Sequence, residues 1–231
     1  MTRTIIVLSL SLLLASASHG QTTQPATTRS SVIRVACCGD SITRRPVGAA
    51  YSDHLARMLG DGWDVRNFGH DGVTAQRDSG RPYWKMPEFE ASNGFEPNVV
   101  ILMLGTNDAA SVDEHRKNFS PDFLALVHHY KALPSKPQVI VMTPPPLMPG
   151  REDSRMNNLK NDLSPHVRRI AKEEAIVLVE LQEFPRLADP SLYPDKVHPN
   201  SDGARIIAER VCDAMQETHF RTTTPTRSAT R

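Results

Sequence analysis

The chain predicts an α/β protein with an open parallel sheet and helices on both sides. From Val32 onward, short runs rich in β-branched residues alternate with longer amphipathic ones, the order expected of strands joined by right-handed helical crossovers. The centres of the short runs are almost continuously apolar, which suits parallel strands covered on both faces. Residues 32–217, lying between two polar ends, are enough for one domain with a sizeable core and too few for two.

The elements follow in order. Residues 1–20, MTRTIIVLSLSLLLASASHG, have an early Arg3, an apolar stretch from Ile5 to Ala15 and small residues after it, the pattern of a secretory signal peptide. That stretch is too short and too broken by serine for a spanning helix of roughly 20 residues, and no later run is apolar enough. The expectation is a secreted or periplasmic protein with no membrane insertion once the leader is removed. Residues 21–31 and 218–231 are rich in Thr, Ser, Arg and Pro and read as a disordered linker and tail. The expected strands are 32–38, 63–69, 98–105, 138–144 and 175–181, and the expected helices 49–60, 119–133, 157–175 and 201–217. Leu55, Met58 and Leu59 form one apolar stripe; Ile206, Ile207, Val211 and Met215 form another.

Composition excludes some partners and bonds. With 27 Lys+Arg against 26 Asp+Glu and no basic cluster, nothing points to nucleic acid. The three cysteines, Cys37, Cys38 and Cys212, have no metal-binding spacing. Cys37 and Cys38 fall in the first strand, where free Cys acts as a small hydrophobe, although a bridge from either to Cys212 is open in an oxidising compartment.

In an open parallel sheet, ligands bind beyond the carboxyl ends of the strands, so residues sharing a site should lie just after strands. Ser41 follows the first strand in Gly39-Asp40-Ser41, which is also ordinary turn composition. NFGHDGVTA, residues 67–75, follows the second, with Gly69 and Gly72 allowing a tight turn whose N–H groups can face a ligand. Asn107, after the third strand, offers two side-chain donors or a helix cap. Asp195 and His198 lie three apart after the fifth, where the carboxylate can fix one ring nitrogen and leave the other facing outward as a general base. Each is an ordinary loop residue taken singly. Together, after four strands, they supply nucleophile, backbone donor, side-chain donor and oriented base. Asp195 and His198 lack a third ligand at recognisable spacing, so neither a metal nor another cofactor is expected.

These residues resemble the GDSL, or SGNH, hydrolase family. Gly39-Asp40-Ser41-Ile42 is similar to its first block with Ile in place of Leu, Asn67 to Thr74 to the second, Gly105-x-Asn107-Asp108 to the third and Asp195-x-x-His198 to the last. The resemblance implies a flavodoxin-like three-layer α/β/α sandwich and a serine esterase, with Ser41, His198 and Asp195 catalytic and the Ser41 and Gly72 amides and the Asn107 side chain binding the oxyanion. The elbow G-x-S-x-G of the α/β-hydrolases is absent here, because Thr43 stands two after Ser41. Residues 82–91, 99–108 and 133–147 further resemble exported bacterial sialate O-acetylesterase-like and acetyl-xylan-esterase-like proteins, and loops too short for a long acyl tunnel favour an acetyl ester on a carbohydrate. Tyr83 and Trp84, in the loop expected to border the site, are candidates to pack on a sugar ring, or core under that loop. Arg77, Arg81 and Arg151 are candidates for a sugar acid. A lysophospholipase or acyl-thioesterase of the same family is the alternative, and a non-catalytic glycan-binding module is the alternative of another class.

Overall fold

The computed structural model describes residues 32–45, 49–111, 116–150 and 153–223. The expected signal peptide, residues 1–20, and linker, residues 21–31, lie outside the described residues, as does Arg151. Among those described, no helix is long and apolar enough to cross a membrane.

Five parallel strands form one sheet: β1 (Ile33–Gly39), β2 (Trp63–Gly69), β3 (Val99–Met103), β4 (Gln138–Met142) and β5 (Val177–Val179), in the order β2-β1-β3-β4-β5. The chain runs outward from β1 to β2, then returns to add β3 on the other side of β1. The carboxyl ends of β1 and β3 therefore meet at the topological switch point, where open α/β sheets bind ligands. Gly39 is in register with Gly69 of β2 and Met103 of β3, so the loops after these three strands start from one level.

Alternation along the strands builds a core on each face. Ala36, Cys38, Val100, Leu102, Val139 and Val141 face one side. There they pack under α3 (Pro87–Gly94), α4 (Phe119–Lys131) and α6 (Ser164–Glu173) through Phe89, Phe123, Leu126, Val127, Val167 and Ile170. Val35, Cys37, Ile101, Met103, Ile140 and Met142 face the other. Their cover is α2 (Tyr51–Leu59) and α7 (Ser201–Thr223), through Tyr51, Leu55, Ile207, Ala208 and Val211. The result is the expected three-layer sandwich. Cys37 and Cys38, adjacent in a strand, point into opposite cores, and both are free, as is Cys212. The open bridge is not formed.

Several boundaries differ from expectation for local reasons. β5 is shorter because Ala175 takes a left-handed φ of 51° at the end of α6, while beyond Val179 the Leu181 and Gln182 amides donate to Thr143 Oγ1 at 2.8 and 3.0 Å. The helix expected over 157–175 is broken. α5 (Asp153–Asn158) passes into a π turn (Leu159–Leu163), in which the Ser164 amide bonds to Leu159 O, before α6 begins with Pro165 in its first turn. Proline has no amide hydrogen to continue an α-helical ladder, and a single π turn absorbs the extra residue. α3, begun by Pro87, occupies a stretch read as loop. α7 runs to Thr223, past the expected boundary at residue 217.

Candidate active site

Ser41 begins a one-turn helix, α1 (Ser41–Arg44), at the end of β1. The preceding Asp40 caps it, its Oδ1 accepting from the Ile42 amide at 2.9 Å. Asp40 is fully buried, and burial pushes its carboxyl up to about 6. Gly39 is required by space, since a Cβ there would overlap the Thr43 side chain and the Met103 carbonyl oxygen. The nucleophile turn is thus pressed against the end of β3.

His198 and Asp195 occupy the turn that leads into α7. His198 Nε2 lies 2.8 Å from Ser41 Oγ, and His198 Nδ1 lies 2.6 Å from Asp195 Oδ2. The other carboxylate oxygen accepts from the His198 and Val197 amides at 2.7 and 3.0 Å. Partial burial raises the Asp195 carboxyl, but the hydrogen bonds from the His198 backbone and ring and from Val197 outweigh it and hold the group well below the usual carboxylate range. An ionised carboxylate can only accept. Nδ1 therefore carries the hydrogen, and Nε2 keeps its lone pair toward Ser41. Such a chain can draw the hydroxyl proton from Ser41 as its oxygen attacks. On the next two residues, Asn200 Oδ1 accepts from the Asp202 and Gly203 amides at 3.0 Å each, fixing the start of α7.

The loops after β2 and β3 complete the cavity. Gly72 has a left-handed φ of 72°, a conformation that glycine adopts without strain. The loop behind it hangs on Asp108, whose buried carboxylate accepts from the Ala75 amide at 3.0 Å and the Gln76 amide at 3.1 Å; burial pushes this carboxyl up to about 7. Asn107 Nδ2 donates to Val73 O at 2.9 Å, which leaves its second hydrogen for another acceptor. The orientation of that amide is set by Arg155, on α5, which donates from Nη2 to Asn107 Oδ1 at 3.0 Å and from Nε to Thr106 O at 2.8 Å. A guanidinium only donates, so the atom facing it is the oxygen. Asn158, three residues along the same helix, donates to Ala109 O at 2.9 Å. The helix thus clamps the 105–110 loop at three points.

Ser41, Gly72, Asn107, Asp195 and His198 line one cavity of about 830 Å³, so five of the residues singled out from sequence come together. Tyr83 and Trp84 do not line it. Tyr83 is fully buried and donates its hydroxyl hydrogen to Phe68 O at 2.7 Å. Trp84 donates to Ala75 O at 3.1 Å, packs on Phe89 and lies under the Arg77 guanidinium at 4.0 Å. Both rings are engaged in holding the long loop after β2, the core role that the sequence left open beside sugar packing. Arg81 turns toward His70, at 3.4 Å. Three arginines that sequence reading passed over, Arg44, Arg45 and Arg155, border the cavity instead. Arg44 and Arg45 are adjacent to the nucleophile turn, a signal that was available. Arg155 had none, since it reaches Asn107 only through the packing of α5.

Over residues 37–206 the chain matches the GDSL-like lipase/acylhydrolase family. It belongs to that family. An acetylxylan esterase of Xylanibacter ruminicola is 27% identical over 209 residues, 80% of this chain but 43% of that protein; the chain thus spans less than half the length of the relative it matches. Among solved structures, Axe2, an acetylxylan esterase from Geobacillus stearothermophilus, superposes with a TM-score of 0.63 at 24% identity, covering 80% of this chain and 94% of that one. Est24, a carbohydrate acetylesterase from Sinorhizobium meliloti, gives 0.63 at 19% identity over 80% and 99%. These likenesses establish the α/β fold.

Proposed function

We propose that the protein is an exported serine esterase that removes acetyl groups from carbohydrate esters. The observation that carries this reading is the chain from Ser41 Oγ to His198 Nε2 at 2.8 Å and from His198 Nδ1 to Asp195 Oδ2 at 2.6 Å, beside an Asn107 amide with a spare donor. Ser41 attacks the ester carbonyl while His198 takes its proton, and Asp195 stabilises the imidazolium. The negative charge formed on the carbonyl oxygen is held by the Ser41 and Gly72 amides and by Asn107. His198 then protonates the departing sugar hydroxyl. In the second half, His198 draws a proton from water, whose oxygen releases acetate and restores Ser41.

The cavity chemistry supports a small acyl group on a hydrophilic alcohol. Its lining includes Arg44, Arg45, Asp71 and Arg155, with Val197 as an aliphatic member, whereas a long acyl chain needs a continuous apolar groove. The relative named as an acetylxylan esterase supports the same substrate class. The test is hydrolysis of p-nitrophenyl esters of increasing chain length, alongside acetate release from acetylated xylan. Highest kcat/KM on acetate, with release from xylan, is the expected result; a rise toward octanoate would indicate a lysophospholipase or thioesterase instead. Binding of acetylated glycans without any acetate release would indicate a lectin-like module.

A further inference from the structure

Three cationic side chains border the cavity around Ser41, and two are engaged. Arg44 donates from Nη1 to Asp71 Oδ2 at 2.8 Å. Arg155 is held by Thr106 and Asn107. The Asp195 carboxylate is occupied by His198. Arg45 stands apart: its guanidinium makes no hydrogen bond or ion pair with the described residues, and its Nε is shielded from solvent without a partner. The side chain is half-buried rather than free in solvent. Its backbone adopts a left-handed φ of 25°, unusual for a residue with a Cβ, while its amide donates to Ser41 O at 3.2 Å. The fork is therefore carried one helical turn from the nucleophile by a backbone that is itself strained.

A half-buried guanidinium without an acceptor is unfavourable; its Nε is too shielded for a ligand to reach, but the two terminal Nη nitrogens can donate to a planar carboxylate in a paired, charge-assisted way. We propose that Arg45 is a subsite for a carboxylate carried by the glycan, so that the preferred substrates are acetylated oligosaccharides with a uronic acid close to the ester. This rests on the esterase reading above and adds to it the charge of the substrate. Ordinary neutral esters would still react, because the carboxylate lies outside the reacting atoms.

The test compares kcat/KM for acetate release from acetylated xylo-oligosaccharides that carry a glucuronic acid side group, its methyl ester, or no side group. The acid form is expected to be favoured by about tenfold over the methyl ester, the scale of one charge-assisted pair, with the ratio shrinking as salt is raised. In Arg45→Gln the ratio falls toward one, and in Arg45→Lys it recovers only in part, since lysine keeps the charge and loses the fork. Calorimetric binding of deacetylated acidic and neutral oligosaccharides gives a readout independent of turnover, and thermal melts confirm that the variants are folded. Equal ratios and equal binding for acid and neutral forms, or a preference that survives in Arg45→Gln, would overturn the proposal. Failure of the wild type to cleave even p-nitrophenyl acetate would count against the esterase reading alone, and the binding comparison would still decide the role of Arg45.

Discussion

The two walls of the cavity are held by different means. On the nucleophile side, Ser41, Gly72 and Asn107 stand on loops tied down by two fully buried carboxyl groups, Asp40 and Asp108, and by Gly39, where a Cβ would collide with Thr43 and with the Met103 carbonyl of β3. On the base side, Asp195 and His198 sit in a turn whose side chains remain 45% and 25% exposed, and the Asp195 carboxylate accepts from the Val197 and His198 amides and pairs with the His198 ring, all within three residues along the chain. The first wall is shaped through the core, and the second through sequence neighbours. Substitutions in the first should therefore cost stability as well as activity, except at the reactive hydroxyl itself, whereas substitutions in the second should remove activity from a protein that stays folded.

The strongest check is Ser41→Ala. Because Asp40 and not Ser41 caps the turn, the variant should melt like the wild type while kcat for p-nitrophenyl acetate falls about 10⁴-fold or more. Asp195→Asn tests the second wall. The amide can no longer stabilise the imidazolium or hold the productive tautomer, so kcat should drop about 10³- to 10⁴-fold, with little change in a urea melt. If that variant unfolded, the contrast between the walls would collapse.

Gly39→Ala probes the first wall without touching a reacting group. Overlap with Thr43 and the Met103 carbonyl should cost about 3 kcal/mol of stability, read as a lower urea midpoint, and activity should be lost in proportion to the unfolded fraction. Arg155→Met is milder. Released from its clamp, Asn107 loses a fixed donor direction, and kcat should fall by about 10- to 100-fold, less than the 100- to 1000-fold of a deleted oxyanion donor, with KM little changed. Arg155→Lys should restore part of that loss. A rise in KM with kcat unaltered would show that Arg155 contacts substrate and does not position Asn107.

The smallest effect concerns pH. Asp40 and Asp108 have carboxyl values raised by burial to about 6 and about 7, so the folded protein binds more protons than the unfolded chain between about pH 4 and pH 7. Their contribution is present in full below pH 4 and is lost as pH rises through the folded values. Asp195, Glu88, Glu174, Glu180 and Glu209 act in the opposite sense at lower pH, because their folded values are depressed, and His54 and His129, lowered by burial, oppose the trend in part within the window. Thermal stability should therefore decline between pH 4 and pH 7 by several degrees, on the order of 5 °C. Asp108→Asn should flatten that slope; an unchanged slope would show that Asp108 does not titrate in this range.

Legibility in the sequence followed the same division. The Asp195–His198 pair could be read directly, since a carboxylate and an imidazole three residues apart need only a turn to meet. Ser41, Gly72 and Asn107 could be read because each directly follows an apolar strand, and parallel order brings such ends to one edge. Tyr83 and Trp84 stayed ambiguous because an aromatic residue in a long loop serves a sugar or a core equally well until the loop folds. Here Phe68 O and Ala75 O took their polar groups. The break at Leu159–Leu163 was hidden because its apolar spacing matches a continuous helix and only Pro165 hinted otherwise.

By itself, the sequence determined the alternation of strand and helix, the two-faced core and the four short motifs, because each depends on residues within a few positions of one another. The tertiary structure alone decided that Asn107 faces the cavity with its donor, that Arg155 holds it there, and that Arg45, unlike Arg44, makes no ion pair with the described residues. Those are contacts between side chains and loops far apart in the chain, set by how α5 and the strand ends pack, and no local pattern encodes them.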